Sequence, residues 1–334
     1  MKAFFISTAF FIPFLNHAMS TINESLPLHS AICVGDIPRL NLLLSDYHDI
    51  EDRNESGETP LLIATRYNRL DMIPILLNKG ADIEAYNKKG FSCLQRAVAF
   101  NLPHMIQTLL GCGADYTACT QDDKARSVFH LAAFDEKIEC LKTLLQILMP
   151  YGLEVKDAHG HTPLHVAALA NQCEAFKVLM AWGSSVYTPL SDRDGATALH
   201  IAATHKEGNI FDQIIEHYPY SLEICTRKGD TPLHKAASTN NYRIAKKILD
   251  CDGNINAQNE YGYTPLHLLF LKEEHTINLD MLNLFLSHGA NIWIQNMYSQ
   301  CAVDLAYYKG INLYQHPVFF YSESNYTESN THDN

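Results

Sequence analysis

The tetrapeptide Thr-Pro-Leu-His recurs at Thr162–His165, Thr231–His234 and Thr264–His267. Near copies stand at Thr59-Pro60-Leu61-Leu62, Ser127-Val128-Phe129-His130 and Thr197-Ala198-Leu199-His200. Degenerate ones are Leu26-Pro27-Leu28-His29, Ser92-Cys93-Leu94-Gln95 and Cys301-Ala302-Val303-Asp304. Successive copies are spaced by 33 to 37 residues. A period of this length marks a repeat array, whose units are too small to bury an apolar face alone and must stack on their neighbours.

Other residues recur in phase. A Gly lies two residues before the signature at Gly57, Gly90, Gly160, Gly195, Gly229 and Gly262. Ala pairs follow at Ala132-Ala133, Ala167-Ala168, Ala202-Ala203 and Ala236-Ala237, and Leu pairs at Leu76-Leu77, Leu109-Leu110 and Leu144-Leu145. Each has a physical role. Thr caps the unpaired amides of a helix start, and Pro fits the first turn because its missing N–H would have no partner there. Small Ala residues let helices approach closely. The Leu pairs form the apolar stripe of a second helix, and the Gly after it (Gly80, Gly113, Gly289) takes the left-handed conformation that ends it.

With these motifs the chain resembles the ankyrin repeat family, whose unit carries Thr-Pro-Leu-His-x-Ala. The resemblance covers residues 22–320 and implies an all-α solenoid of about nine helix-turn-helix units with hairpin fingers. The units are read near 22–56, 57–89, 90–124, 125–159, 160–194, 195–228, 229–261, 262–298 and 299–320. Units four to six are irregular, with Leu148-Met149-Pro150-Tyr151 and His217-Tyr218-Pro219-Tyr220 in place of the usual Gly turn. In the eighth, Leu269-Phe270 replaces the Ala pair and the loop Lys272–Asn278 is extended. Local irregularity is expected there, not a break into two domains.

The ends differ. Residues 1–20 hold an apolar stretch from Ala3 to Leu15, too short to span a bilayer as a helix. A secretory signal or anchor and an upstream segment ahead of a start at Met19 both fit it. Residues 321–334 form a polar, Ser/Thr/Asn/Glu-rich tail, expected to be disordered. The tail resembles the C-terminal signals of secreted bacterial effectors, which implies export and action in a host cytosol; a cytoplasmic adaptor is the alternative. Three Asn-x-Ser/Thr triplets begin at Asn23, Asn54 and Asn325 and matter only in a secretory lumen.

Composition narrows the function. A net charge of −12 disfavours a phosphate-tracking nucleic-acid binder. Nine scattered Cys without a Cys-x-x-Cys pair point to reduced thiols, not to a disulfide framework or zinc ribbon. No phosphate-binding loop, nucleophile elbow or two-His zinc helix is present. The signature residues His29, His130, His165, His200, His234 and His267 lie one repeat apart, too far to share a metal, and in the family they bridge loops by hydrogen bonds. No metal or cofactor is expected, and the array leaves no room for a separate catalytic domain. The leading expectation is a single-copy, non-catalytic scaffold that binds a protein. The rivals are a modifying enzyme with a cryptic site in units four to six and a membrane- or periplasm-tethered scaffold.

In the ankyrin family the concave surface, formed by finger tips and first helices, binds the partner. Carried over by register, it places Tyr67, Phe100, Phe134 and Leu169 at one structural position of four successive units, an apolar stripe of the kind that anchors partners. The tips add Phe91, Tyr261 and Tyr263, with Arg227 and Lys228 as basic tip residues. Glu55, Glu58, Asp123, Asp194, Asp230 and Glu260 are read as acidic tip residues, and Lys235, Arg243, Lys246 and Lys247 as part of a locally basic, solvated seventh unit.

Overall fold

A computed structural model describes residues 26–46, 49–148, 152–191, 194–271 and 278–313. The N-terminal segment, the polar tail, Met149 to Tyr151, residues 272–277 and the triplets at Asn23 and Asn325 lie outside the described residues. The chain divides into two compact units, Met1–Ala158 and His159–Asn334.

Among the described residues the first unit has four helix pairs. They are α1 (Pro27–Val34) with α2 (Ile37–Asp46), α3 (Pro60–Arg66) with α4 (Met72–Asn78), α5 (Cys93–Ala99) with α6 (Pro103–Gly111), and α7 (Val128–Phe134) with α8 (Ile138–Leu148). The second has α9 (Pro163–Leu169) with α10 (Cys173–Ala181), α11 (Ala198–Ala202) with α12 (Asn209–His217), α13 (Pro232–Thr239) with α14 (Tyr242–Asp250), α15 (Pro265–Phe270) with α16 (Leu279–Ser287), and then α17 (Ala302–Tyr308). Within each unit, the first helix of every pair packs on that of the next: α1 on α3, α3 on α5 and α5 on α7, then α9 on α11, α11 on α13, α13 on α15 and α15 on α17. This is the all-α repeat class that the resemblance implied.

The signature works as a capping box. The backbone N–H of Ser127, Thr162, Thr197, Thr231 and Thr264 donates to Nδ1 of the His three residues on, at 3.1–3.3 Å. In the Thr162, Thr231 and Thr264 copies the Thr hydroxyl accepts the His backbone N–H in return. Two degenerate copies keep the chemistry with other side chains. Gln95 Oε1 accepts from Ser92 N–H at 2.9 Å, and Asp304 Oδ2 from Cys301 N–H at 2.8 Å. The other imidazole nitrogen ties one repeat to the next. Nε2 donates to the carbonyl of Glu58 from His29, of Asp230 from His200, of Tyr263 from His234 and of Gln300 from His267. This is the loop-bridging role that the resemblance gave these histidines.

Fingers close on side-chain oxygens as well as backbone. Oδ1 of Asn54, Asn87, Asn259 and Asn296 accepts the N–H groups two and four residues on. Neighbouring fingers join by single backbone bonds such as Lys88 N–H to Ser56 O, Gln121 N–H to Gly90 O and Met297 N–H to Tyr261 O. The Ala pairs are buried, and so are Leu269 and Phe270 where they replace one. The irregular sixth unit turns through a 3₁₀ segment, Pro219–Glu223, packed on α12.

Candidate functional site: exposed aromatic faces

In the first unit three aromatic residues lie at the C-terminal ends of α3, α5 and α7, and each carries an arginine over its ring. Arg66 lies 5.7 Å from the Tyr67 centroid, Arg96 4.9 Å from that of Phe100, and Arg126 4.3 Å from that of Phe134. Phe100 is 45% exposed and Phe134 41%, whereas Tyr67 is half-buried. A guanidinium over a ring is held by the ring quadrupole and leaves its N–H edge open to acceptors.

The positions are not equivalent, which corrects the expected register. Tyr67 and Phe100 cap their helices, while Phe134 and Leu169 are the last helical residues and Asp135 and Ala170 are the caps. One residue of offset turns a side chain by about 100° around a helix axis, so the stripe changes direction between Phe100 and Phe134.

Glu58 is a second correction. It is 1% exposed rather than a solvated tip residue. Its carboxylate meets Arg96 Nη2 at 2.5 Å, Arg66 Nη1 at 3.2 Å and Asn54 Nδ2 at 3.3 Å. One buried anion thus fixes the two guanidiniums that lie on Tyr67 and Phe100. Burial draws the Arg96 pKa down, and the Glu58 charge opposes it. Asn54 is itself spoken for, since its Oδ1 holds the finger and its Nδ2 meets Glu58.

In the second unit Leu169 is 46% exposed at the end of α9. Tyr261 is 41% exposed, with Tyr263 half-buried 6.5 Å from it between ring centroids. Tyr298 continues the row 6.3 Å from Tyr263, and Met297 and Trp293 are also exposed. The sequence reading missed these three. Their finger carries Ser299, at φ +58°, where other repeats have Gly, so tips found by counting from Gly skip it. Arg227 and Lys228 are exposed on the preceding finger, and Phe91 is half-buried on its own.

The basic residues that α13 and α14 bring to the seventh unit are paired with acids. Lys235 Nζ bridges Asp194 at 2.8 Å and Asp230 at 3.3 Å. Arg243 pairs with Asp212, and Lys246 with Asp250 at 2.9 Å. Burial alone would lower the Lys235 pKa, but the hydrogen bond and charge of Asp194 and the charge of Asp230 outweigh it and hold it above its ordinary value.

Among the described residues no group of three His, Cys, Asp or Glu side chains is placed to hold a metal ion, and no helix is long and apolar enough to cross a membrane. None of the nine cysteines is in a disulfide. Burial raises the thiol pKa at Cys33, Cys119, Cys225 and Cys301, and pushes Cys93 up to about 12 and Cys140 up to about 11. A raised pKa suppresses the thiolate that a nucleophile needs.

A family model described as ankyrin repeats (3 copies) matches residues 10–87, 28–119, 94–189, 129–220, 183–259 and 199–296. The chain belongs to the ankyrin repeat family. Ankyrin repeats imply protein–protein interaction, and the fold is generally a binding scaffold. The comparison with curated proteins returns no match. Among solved structures, the chain is similar to one chain of the Bd0816 predatory endopeptidase from Bdellovibrio bacteriovorus in complex with immunity protein Bd3460. That similarity has a TM-score of 0.48 and 23% identity, covering 57% of this ankyrin chain and 97% of the other.

Proposed function

We propose that the chain is a non-catalytic scaffold that binds a protein partner on the surface the family presents as concave. The anchors are Phe100 and Phe134 in the first unit, flanked by Tyr67 and Phe91. The second unit has its own candidates, Leu169 and the Tyr261–Tyr263 row with Arg227 and Lys228. One observation carries the reading. Phe100 and Phe134 are 45% and 41% exposed at the ends of adjacent helices, although the alanines and leucines behind them are almost fully buried. Large apolar side chains left in water at neighbouring positions are what a partner desolvates, and such aromatic anchors dominate binding energy.

The raised thiols and the use of the signature histidines as helix caps and repeat ties support a non-catalytic role. In units five and six, α9 packs on α10 and α11 on α12. The reading of the chain as an exported effector rests on its N-terminal segment and tail, both outside the described residues.

Replacing Phe100 and Phe134 together by Ala tests the proposal. Each exposed ring gives up an arginine contact of about 0.5–1 kcal/mol, so the melting temperature falls by only a few degrees. Proximity labelling with the double variant loses the proteins labelled by the wild type. A large fall in melting temperature assigns the two rings to the core, and unchanged labelling sinks the proposal.

A further inference from the structure

The three arginines that cover the aromatic residues differ in their counter-charge. Arg66 and Arg96 share the buried Glu58. Arg126 stacks on Phe134 more closely than the others stack on their rings, yet among the described residues no carboxylate lies within ion-pair distance of its guanidinium. Its Nε–H is buried without an acceptor. Neither α5 nor α7 carries an Asp or Glu within its range. In α5 the fourth residue is Arg96, which reaches back to Glu58; the matching residue of α7 is Leu131, which is buried. Asp122 feels the Arg126 charge, but its carboxylate already accepts from the Thr120 hydroxyl at 2.6 Å and from the N–H groups of Lys124 and Ala125 at 3.2 and 3.1 Å.

We propose that Arg126 is the anchor for a carboxylate of the partner. The recognised element is an Asp or Glu next to an apolar or aromatic side chain. The carboxylate takes the terminal Nη–H groups of Arg126, and its apolar neighbour lies against Phe134. The inference deepens the binding proposal and rests on it. The chemistry is selective because the guanidinium, centred 4.3 Å from the Phe134 ring centroid, offers a planar fork of N–H donors that suits a two-pronged carboxylate and disfavours a neutral amide. The net charge of −12 opposes an acidic segment at long range. The pairing is therefore a contact effect at a partly desolvated site and does not speed encounter.

Panning random linear peptides displayed on phage against the full chain supplies the probe. The expected outcome is enrichment of sequences with an acidic residue beside an aromatic or aliphatic one. Changing that acid to its amide in a synthetic peptide weakens binding to the wild-type chain by about tenfold or more. This arm needs no protein variant. Arg126→Gln weakens the acidic peptide to the same extent and barely changes the amide peptide, and Arg126→Lys falls between, so the two changes are non-additive. Enriched peptides that lose binding on the Phe100→Ala and Phe134→Ala changes but show no preference for acid overturn the Arg126 proposal and leave the binding reading standing. No enrichment, or enrichment indifferent to those phenylalanines, overturns both. Self-association of the free chain that Arg126→Gln abolishes also overturns the proposal, because a second copy then occupies the site.

Discussion

His200 is 1% exposed, and its hydrogen bonds fix its protonation. The Thr197 N–H can only donate, so Nδ1 has no proton; the Asp230 carbonyl can only accept, so Nε2 carries one. The ring is neutral, and burial lowers its pKa from 6.5 to about 4. Burial lowers His234 and His267 as well. The sign follows from proton counts. Between pH 6.5 and about 4 the unfolded chain binds a proton at this site and the folded chain does not, so stability is full above pH 6.5 and falls as the pH drops. The His200 share is on the order of 3 kcal/mol across that window. Gln95 shows that a glutamine can accept at the same capping position without titrating. His200→Gln therefore flattens the fall in the urea midpoint between pH 7 and pH 5. An unchanged slope in that variant removes His200 from the acid response.

At the scale of elements, Gly152 and Gly183 make a contrast. Both have positive φ, +103° and +95°. A Cβ on Gly152 would stand 2.1 Å from Cε2 of Phe129, a fully buried ring, whereas one on Gly183 meets nothing within 4 Å. Gly183→Ala thus costs only the left-handed backbone, about 1–2 kcal/mol. Gly152→Ala adds a core clash and costs about 3 kcal/mol or more. Equal unfolding midpoints for the two variants would contradict this packing. The contrast also shows what the sequence exposes. Helix starts were legible because the signature itself carries the caps, down to Gln95 and Asp304 standing in for His. The Gly152 turn was not, because it depends on a ring 23 residues away. The Glu58 clamp joins residues 8 and 38 apart and reads in sequence as three separate surface charges. The aromatic residues of the site were visible as a set, but their one-residue offset required the helix ends.

For the whole molecule, the hydrogen bonds between repeats described above reach only 29 to 41 residues along the chain, as in His29 to Glu58 and Lys235 to Asp194. Stability in such a chain is a sum of repeat terms and nearest-neighbour terms. A local defect should therefore stay local. Thr231 caps α13, accepts the His234 N–H and donates its own N–H to Nδ1 of that ring, which reaches the next finger through Nε2. Thr231→Ala removes the hydroxyl and costs about 1–2 kcal/mol. Native-state hydrogen exchange should then speed up about tenfold in α13 and in the helices packed on it, α11, α14 and α15, while amides of α1 and α3 keep their rates. In a globule with one shared core the same loss lowers protection everywhere. A uniform rise in exchange would thus contradict the nearest-neighbour account, even though every cap and tie in it is present in the structure.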